Sequence, residues 1–406
     1  MIMKTANLST KKFTLSILTA AILAAPSAFA AEPTHAKGIS DALADTNAKL
    51  SFRARYEGVG QDGKDDASAL TVLSRLTINT GAYQNFSLGL EVDNVSALVD
   101  DYNDIGTDYV GNEAVIADAE VTDINQAFVK YTNGDLSVKA GRQRINHDGQ
   151  RFIGGVGWRQ NEQTYDGYRF QYNATEQLNL DYTYVYNVNR IFGPDSKKAG
   201  KLGGELHLLN GAFAINKKHK VSGFAYILDF NTAAALSTST YGLLYNGQFG
   251  PVKVLASYAT QSDNGDNPNS FDASYYNVEA ATKLGSFTVK AGVEVLGSDN
   301  GVGFSTPLAT LHKWNGFADK FLGTPADGLE DIYITGVTKV KGVKLVATYH
   351  DFSSDVNGID YGSEIDLVAA YKVNKNYSLL AKYANYSSDS FATDTDKLWL
   401  MLTAKF

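Results

Sequence analysis

The chain has no cysteine, so no disulfide framework is available to hold it together in an oxidising compartment. Beyond the first 30 residues it has no apolar run near the roughly 18 residues that a membrane helix needs, so any crossing of a bilayer falls to strands. It contains no His-Glu-x-x-His, no Gly-x-Ser-x-Gly and no phosphate loop, which removes the recognisable hydrolase and nucleotide-binding signatures. His147 beside Asp148 and His350 beside Asp351 lack a nucleophile at a recognisable position, so no catalytic residue is assigned and enzymatic function is not expected. The acidic stretches around Asp100, Asp101 and Asp104, and around Asp263, Asp266 and Asn267, have no regular ligand spacing. They read as solvated loops, with no metal and no cofactor expected. Arginine is missing from the whole chain after residue 190, the nine of them lying between 53 and 190. With a net charge of -8, the protein is not expected to bind nucleic acid.

What is present is a secretion signal followed by strands. Lys11 and Lys12 precede an apolar stretch, Phe13 to Ala25, and Ala28-Phe29-Ala30 supplies a small-x-small cleavage pattern, which predicts a signal peptide over 1–30. Residues 31–48 read as a short periplasmic segment without activity. From Leu50 to Glu57, apolar Leu50, Phe52, Ala54 and Tyr56 alternate with Ser51, Arg53, Arg55 and Glu57, the period of two that marks a half-apolar strand. The alternation recurs near 70–80, 85–95, 123–132, 135–143, 164–173, 177–188, 204–215, 219–229, 239–248, 251–261, 272–284, 286–297, 329–340, 343–352, 363–373, 376–387 and 396–406. Brief turn-like links, such as Asn133-Gly134, Gly250, Gly285 and Lys341-Gly342, take turns with longer polar ones, the longest at 96–122, 144–163 and 298–328. Eighteen strands, short connections at one end and long ones at the other, predict an all-β fold: a closed antiparallel transmembrane β-barrel over 49–406, with periplasmic turns and extracellular loops. Sixteen strands is the alternative, because the pattern is weak near 204–230. Leu398, Leu400, Leu402 and Phe406 share the lipid-facing side of the last strand. The terminal Phe406 resembles the signal read by the barrel assembly machinery, which places the chain in the outer membrane of a Gram-negative bacterium, among lipid and lipopolysaccharide.

Charge is distributed unevenly around this barrel. Because guanidinium grips carboxylates bidentately, the arginine-rich first seven strands form a wall suited to anions. Arg53, Arg55, Arg75, Lys139 and Arg169 alternate away from the apolar face and so are expected to line the pore. Arg75 is expected opposite Glu91 and Arg169 opposite Asp181 as stiffening cross-strand pairs, which leaves Arg53 and Arg55 as the freer anion contacts. Arg142 and Asp166 both fall on the apolar side, where a salt bridge, or a bulge at Gly141 that turns the arginine inward, accounts for them. The loop 144–163, with Arg144, Arg151, Arg159 and four glycines, either bends into the mouth as a constriction or forms a solvated surface. In 298–328, Leu308, Leu311, Trp314, Ala318, Phe321 and Leu322 follow helical spacing between Pro307 and Gly323, which predicts a short helix acting as a plug or buttressing the rim.

Residues 141–170 carry Gly-Arg-Gln, Arg-x-Ile-Gly, Trp-Arg-Gln-Asn and Tyr-Asp-Gly-Tyr in succession. Thr306-Pro307-Leu308, His312-Lys313-Trp314-Asn315-Gly316, Ala318-Asp319-Lys320-Phe321 and Tyr349-His350-Asp351-Phe352 extend the pattern. Together they resemble the alginate-export family of outer-membrane porins. The resemblance implies an eighteen-stranded barrel with a basic lumen that passes small or oligomeric anionic solutes, carboxylates and sugar acids among them. Export of an anionic, alginate-like polysaccharide and a non-conducting extracellular binding or adhesion barrel are the alternatives.

Overall fold

The computed structural model describes residues 38–106, 109–196 and 200–406. The signal peptide expected over 1–30 lies outside the described residues. A short helix, α1 (Ile39–Ala44), precedes the strands and buries Ala42, whose carbonyl accepts a hydrogen bond from the Gly81 amide at 3.0 Å. It therefore sits at the turn between the second and third strands.

Strands follow at Asn47–Gln61 (β1), Ala67–Asn79 (β2), Phe86–Asp101 (β3), Val121–Asn133 (β4), Leu136–Gln143 (β5), Thr164–Asn173 (β6), Leu178–Asn189 (β7), Lys201–Asn216 (β8), His219–Phe230 (β9), Thr238–Phe249 (β10), Val252–Asp263 (β11), Asp272–Leu284 (β12) and Phe287–Leu296 (β13). Two-residue strands Ser298–Asp299 (β14) and Val302–Gly303 (β15) make a small hairpin within a loop. The wall then resumes at Leu329–Val340 (β16), Val343–Ser353 (β17), Asp360–Lys372 (β18), Tyr377–Ser388 (β19) and Thr395–Lys405 (β20). Each wall strand pairs antiparallel with its neighbours in one 18-stranded sheet, and β1 pairs with β20 from Ser51↔Lys405 to Gln61↔Thr395. That last ladder closes the cylinder and leaves no edge, as a backbone surrounded by hydrocarbon requires. Lys201–Asn216 and His219–Phe230 are separate, fully paired strands, so the sixteen-strand alternative is set aside. The barrel starts at Asn47, two residues before the expected boundary.

Alternation gives the wall two chemically different faces. On β20, Leu398, Leu400 and Leu402 are exposed on the outside while Trp399 between them is 0 % exposed, inside. Tyr168, Phe170, Tyr172 and Tyr182 are likewise exposed outside, an aromatic-rich surface of the kind that meets a membrane interface. The short links are tight: Lys341 and Gly342 have φ of 48° and 87°, the paired positive values of the hairpin turn whose twist suits antiparallel strands.

Above the short-turn end, the lumen has a core of its own. Ile145 and Ile153 from the 144–163 loop, and Phe304, Leu308, Ala318 and Phe321 from the 298–328 loop, are buried against inward wall residues including Tyr165, Leu206, Tyr275, Phe352 and Trp399. Both loops fold into the barrel, so the solvated-surface reading of 144–163 is overturned. The expected helix in 298–328 is overturned as well. Only Leu311–Lys313 makes a single 3-10 turn, because Asn315, Gly316 and Asp319 have φ of 54°, 83° and 62°, left-handed values that no right-handed helix can include. The apolar spacing that suggested a helix is a set of anchors on an irregular chain.

Candidate functional site: the barrel lumen

Arginine builds the constriction. From the 144–163 loop, Arg144 Nη2 reaches Glu91 at 2.8 Å, and Arg151 Nε donates to Glu294 Oε1 at 2.7 Å on the far wall. Arg159 Nη1 contacts Glu57 at 2.9 Å and its Nη2 contacts Asp319 of the second loop at 3.2 Å. The three arginines diverge to three sectors of the wall, so the loop is braced across the bore. The second loop is held by its backbone as well. The amides of Phe317 and Ala318 donate to Asp366 at 3.2 Å and Glu364 at 2.7 Å, and Asn315 Nδ2 donates to Glu294 at 2.7 Å. Trp158 stacks on His312 with centroids 4.5 Å apart, joining one loop to the other.

Where the structure places the expected pore residues separates two groups. Arg53, Arg55, Arg75, Lys139 and Arg169 all face the lumen, as alternation predicts. Arg53 and Arg55 are nevertheless not free anion contacts, which corrects the expectation. Arg53 Nε donates to Gln160 Oε1 at 2.7 Å and Nη1 to the Gly157 carbonyl at 2.9 Å. Arg55, 0 % exposed, pairs with Asp118 at 2.9 Å and donates to the Trp158 carbonyl. Their partners lie about 60 to 110 residues away on loops, a distance in sequence that strand alternation cannot see. Arg75 comes within 3.7 Å of Glu91, but its closer partners are Asp93 at 2.6 Å and Glu162 at 2.9 Å, Asp93 standing directly opposite it in the ladder. Arg169 pairs with Asp181 as expected, Nε to Oδ2 at 2.9 Å. Arg142 pairs with Asp166 at 2.9 Å on the outer face, with Asp123 at 3.5 Å and the Ile124 carbonyl at 2.9 Å beside it. It stays outside, so the inward-turning bulge is excluded. Arg144, Arg151 and Arg159 do sit in the constriction, but in ion pairs. The neighbours His147 and Asp148 part company, with His147 near Tyr226 and Asp181 while Asp148 accepts from Asn210 and Ser222. His350 turns to Asp331 at 2.8 Å.

In the loops, charge is tuned by this packing. Burial would raise the Glu162 carboxyl, but Arg144 and Arg75 hold it below its ordinary value. Burial would likewise raise Asp319, which His312, Lys397 and Arg159 keep well below the carboxylate range. Burial lowers His312 to about 3, further aided by the neighbouring Lys382 ammonium. It is therefore a neutral imidazole whose Nδ1–H donates to Asp319 at 2.6 Å while Nε2 accepts from Lys382 at 2.7 Å.

Between the constriction and the short-turn end, the lumen is lined by lysine. Lys130 and Lys139 stand directly opposite each other on β4 and β5, and Lys139 stands opposite Arg169 on β6. Among the described residues no carboxylate forms an ion pair with Lys130 or Lys139. Lys139 Nζ lies 4.2 Å over the Phe128 ring, and Phe128 lies across Gly89, where an added Cβ would collide with the ring. Lys220, Lys253, Lys290 and Lys344 share the inward parity lower on their strands. Of these, Lys290 pairs with Glu279 at 2.8 Å and Lys220 lies 3.9 Å from Asp148. Lys139 is inward as its alternation predicts, and the same alternation marks Lys130, Lys220, Lys253, Lys290 and Lys344, which the sequence reading did not single out.

A closed 18-stranded antiparallel wall, apolar outside and narrowed by infolded loops, is the architecture of an outer-membrane β-barrel of porin-like fold. Solved structures bear this out at the level of fold. OccK8 (OprE) of Pseudomonas aeruginosa matches with a TM-score of 0.71 at 15% identity, covering 90% of this chain and 99% of its own. OpdK of the same organism, solved with vanillate, matches with 0.71 at 15%, covering 90% and 99%. OccAB4 of Acinetobacter baumannii matches with 0.69 at 14%, covering 89% and 98%. Residues 56–190 match the family model described as alginate export, so the likeness read from the motifs is borne out over the stretch that holds the 141–170 block. No curated protein matches the chain.

Proposed function

We propose that the protein is a passive channel of the outer membrane for small anionic solutes of carboxylate or sugar-acid type, made as a precursor and cleaved after Ala30. The observation that carries this reading is the row Lys130, Lys139 and Arg169, three cations side by side on the inner wall, with Asp181 the one carboxylate in an ion pair with them among the described residues. Like charges directly opposed in a ladder repel one another. A passing anion relieves that repulsion, and the low-dielectric wall concentrates the field that attracts it. The solved relative with vanillate is a barrel of the same fold crystallised with a carboxylate, which is in keeping with this chemistry. The braced loops favour small solutes over a polysaccharide strand, since the Arg144, Arg151 and Arg159 pairs, two of them buried, would have to break to clear the bore.

Reversal potentials in planar bilayers under a salt gradient test the proposal. Wild-type channels prefer anions, and Lys130→Gln with Lys139→Gln lowers the permeability ratio several-fold, the more so at low salt where screening is weak. A cation-selective or non-conducting wild-type protein defeats it.

A further inference from the structure

On the long-loop side of the constriction, sharing Arg159 and Asp319 with it, lies a cavity whose other cations the channel reading does not use. Its volume is about 390 Å³. The lining is amphipathic. Ile105, Val115, Ile191, Phe192, Leu311 and Leu322 supply apolar wall, and Arg159, Arg190, Lys320 and Lys397 supply positive charge. Among the described lining residues the one carboxylate is Asp319, and it is already engaged by His312 at 2.6 Å, Lys397 at 2.9 Å and Arg159 at 3.2 Å. Arg159 is further committed to Glu57 at 2.9 Å.

Two of the lining cations make no ion pair among the described residues. Lys320 has no ion pair or side-chain hydrogen bond among the described residues. Arg190 makes none either: its guanidinium lies 5.1 Å from the centre of the Phe192 ring, and its buried Nε has no hydrogen-bond partner. Burial draws both below their ordinary values, Lys320 to about 8, with repulsion from Lys397 adding to the effect and the more distant carboxylates Glu364, Asp319 and Asp394 only partly offsetting it. A guanidinium and an ammonium held partly desolvated and unpaired beside an apolar wall are an incomplete arrangement. Burying a cation without a partner is costly, and an anion that also covers the apolar wall removes both penalties.

We infer that this cleft binds a small organic anion with an apolar body, its acidic head drawn by the lining cations Arg190 and Lys320 and its hydrocarbon part against Ile191, Phe192, Leu311 and Leu322. The cavity lies within the size range of small-molecule sites. A strongly hydrated polyol acid supplies the charge but leaves the apolar wall wet, and a neutral alcohol supplies the body but leaves the cations unpaired. The site is thus selective for the combination, and it concentrates such solutes at the outer mouth.

The test is equilibrium binding to the full barrel in lipid nanodiscs, with empty nanodiscs subtracted, using butyrate, pentanoate, hexanoate, gluconate and 1-hexanol as probes. Hexanoate occupies a single saturable site, and affinity rises about fourfold per methylene from butyrate to hexanoate. Gluconate and hexanol bind at least about tenfold more weakly. Arg190→Gln combined with Lys320→Gln lowers hexanoate affinity about tenfold or more, with unit conductance and ion selectivity in bilayers unchanged. Gluconate binding as tightly as hexanoate, or the double variant binding hexanoate like wild type, overturns the inference. A barrel that binds hexanoate but does not conduct refutes the channel proposal alone, and one that conducts without binding hexanoate refutes this one alone.

Discussion

Two kinds of cation face the lumen, and the difference between them lies in what each touches. Arg55 is enclosed between Asp118, the Trp158 carbonyl and the Trp158 ring, its Cζ 4.4 Å from the ring centre. Removing one member of a buried pair leaves the other charged and desolvated, a loss of about 3–5 kcal/mol. Arg55→Ala is therefore expected to loosen the 144–163 loop, seen as larger and noisier single-channel currents and faster proteolysis of that loop, with selectivity kept. Arg55→Ala combined with Asp118→Ala is expected to be milder than either alone. Wild-type currents from Arg55→Ala, or a loss of anion preference, would instead make Arg55 a solute contact. Lys139 is positioned differently, by Phe128 lying across Gly89. Gly89→Val displaces the ring and with it the ammonium, so the expected result is reduced anion preference in a barrel that still folds; unchanged selectivity would mean that the ring does not position the lysine.

The loop 298–328 has no regular structure beyond the β14–β15 hairpin and one 3-10 turn, so its order comes mainly from its contacts. His312 is its hinge with Trp158, Asp319 and Lys382. Its folded pKa, about 3, lies below the roughly 6.5 of a free histidine. The unfolded or undocked state then binds the extra proton between these values. Docking is fully stabilised above about pH 6.5 and loses support as the pH falls towards 3. Trp158 stacks on His312 and Trp399 meets it edge-on at 5.4 Å, so tryptophan fluorescence is expected to shift on acidification across that window. His312→Gln, which has no such titration, is expected to flatten the shift; an identical transition in that variant would assign it to another group.

For the whole molecule, closure is the decisive event. Phe406 both donates its amide to the Leu50 carbonyl at 2.8 Å and accepts from the Leu50 amide at 3.1 Å, and its ring meets Tyr377 at 5.9 Å. It is thus the last stitch of the seam between β1 and β20, at the short-turn end. Deleting Phe406 is expected to slow assembly and lower the amount of heat-modifiable barrel recovered from outer membranes, while the barrels that do form keep their conductance. Normal yield would remove both the assembly role proposed for this residue and its part in the seam.

The pattern of apolar and polar residues along the chain determined the wall by itself. A strand with one face to lipid must alternate, and turns and loops must separate such strands, so the wall and the inward parity of Arg53, Arg55, Arg75, Lys139 and Arg169 were legible locally, the weak stretch near 204–230 alone leaving the strand number open. The cross-strand pair Arg169–Asp181, across a short turn, was legible for the same reason, whereas Arg142–Asp166, on strands joined by the long 144–163 loop, was legible from parity only as one of two alternatives. The inward course of 144–163, the irregular path of 298–328, and the capture of Arg53 and Arg55 by loop groups were decided only in three dimensions. Those contacts join residues far apart in sequence, and a buried ion pair depends on geometry and desolvation that no period of two or three and a half residues encodes.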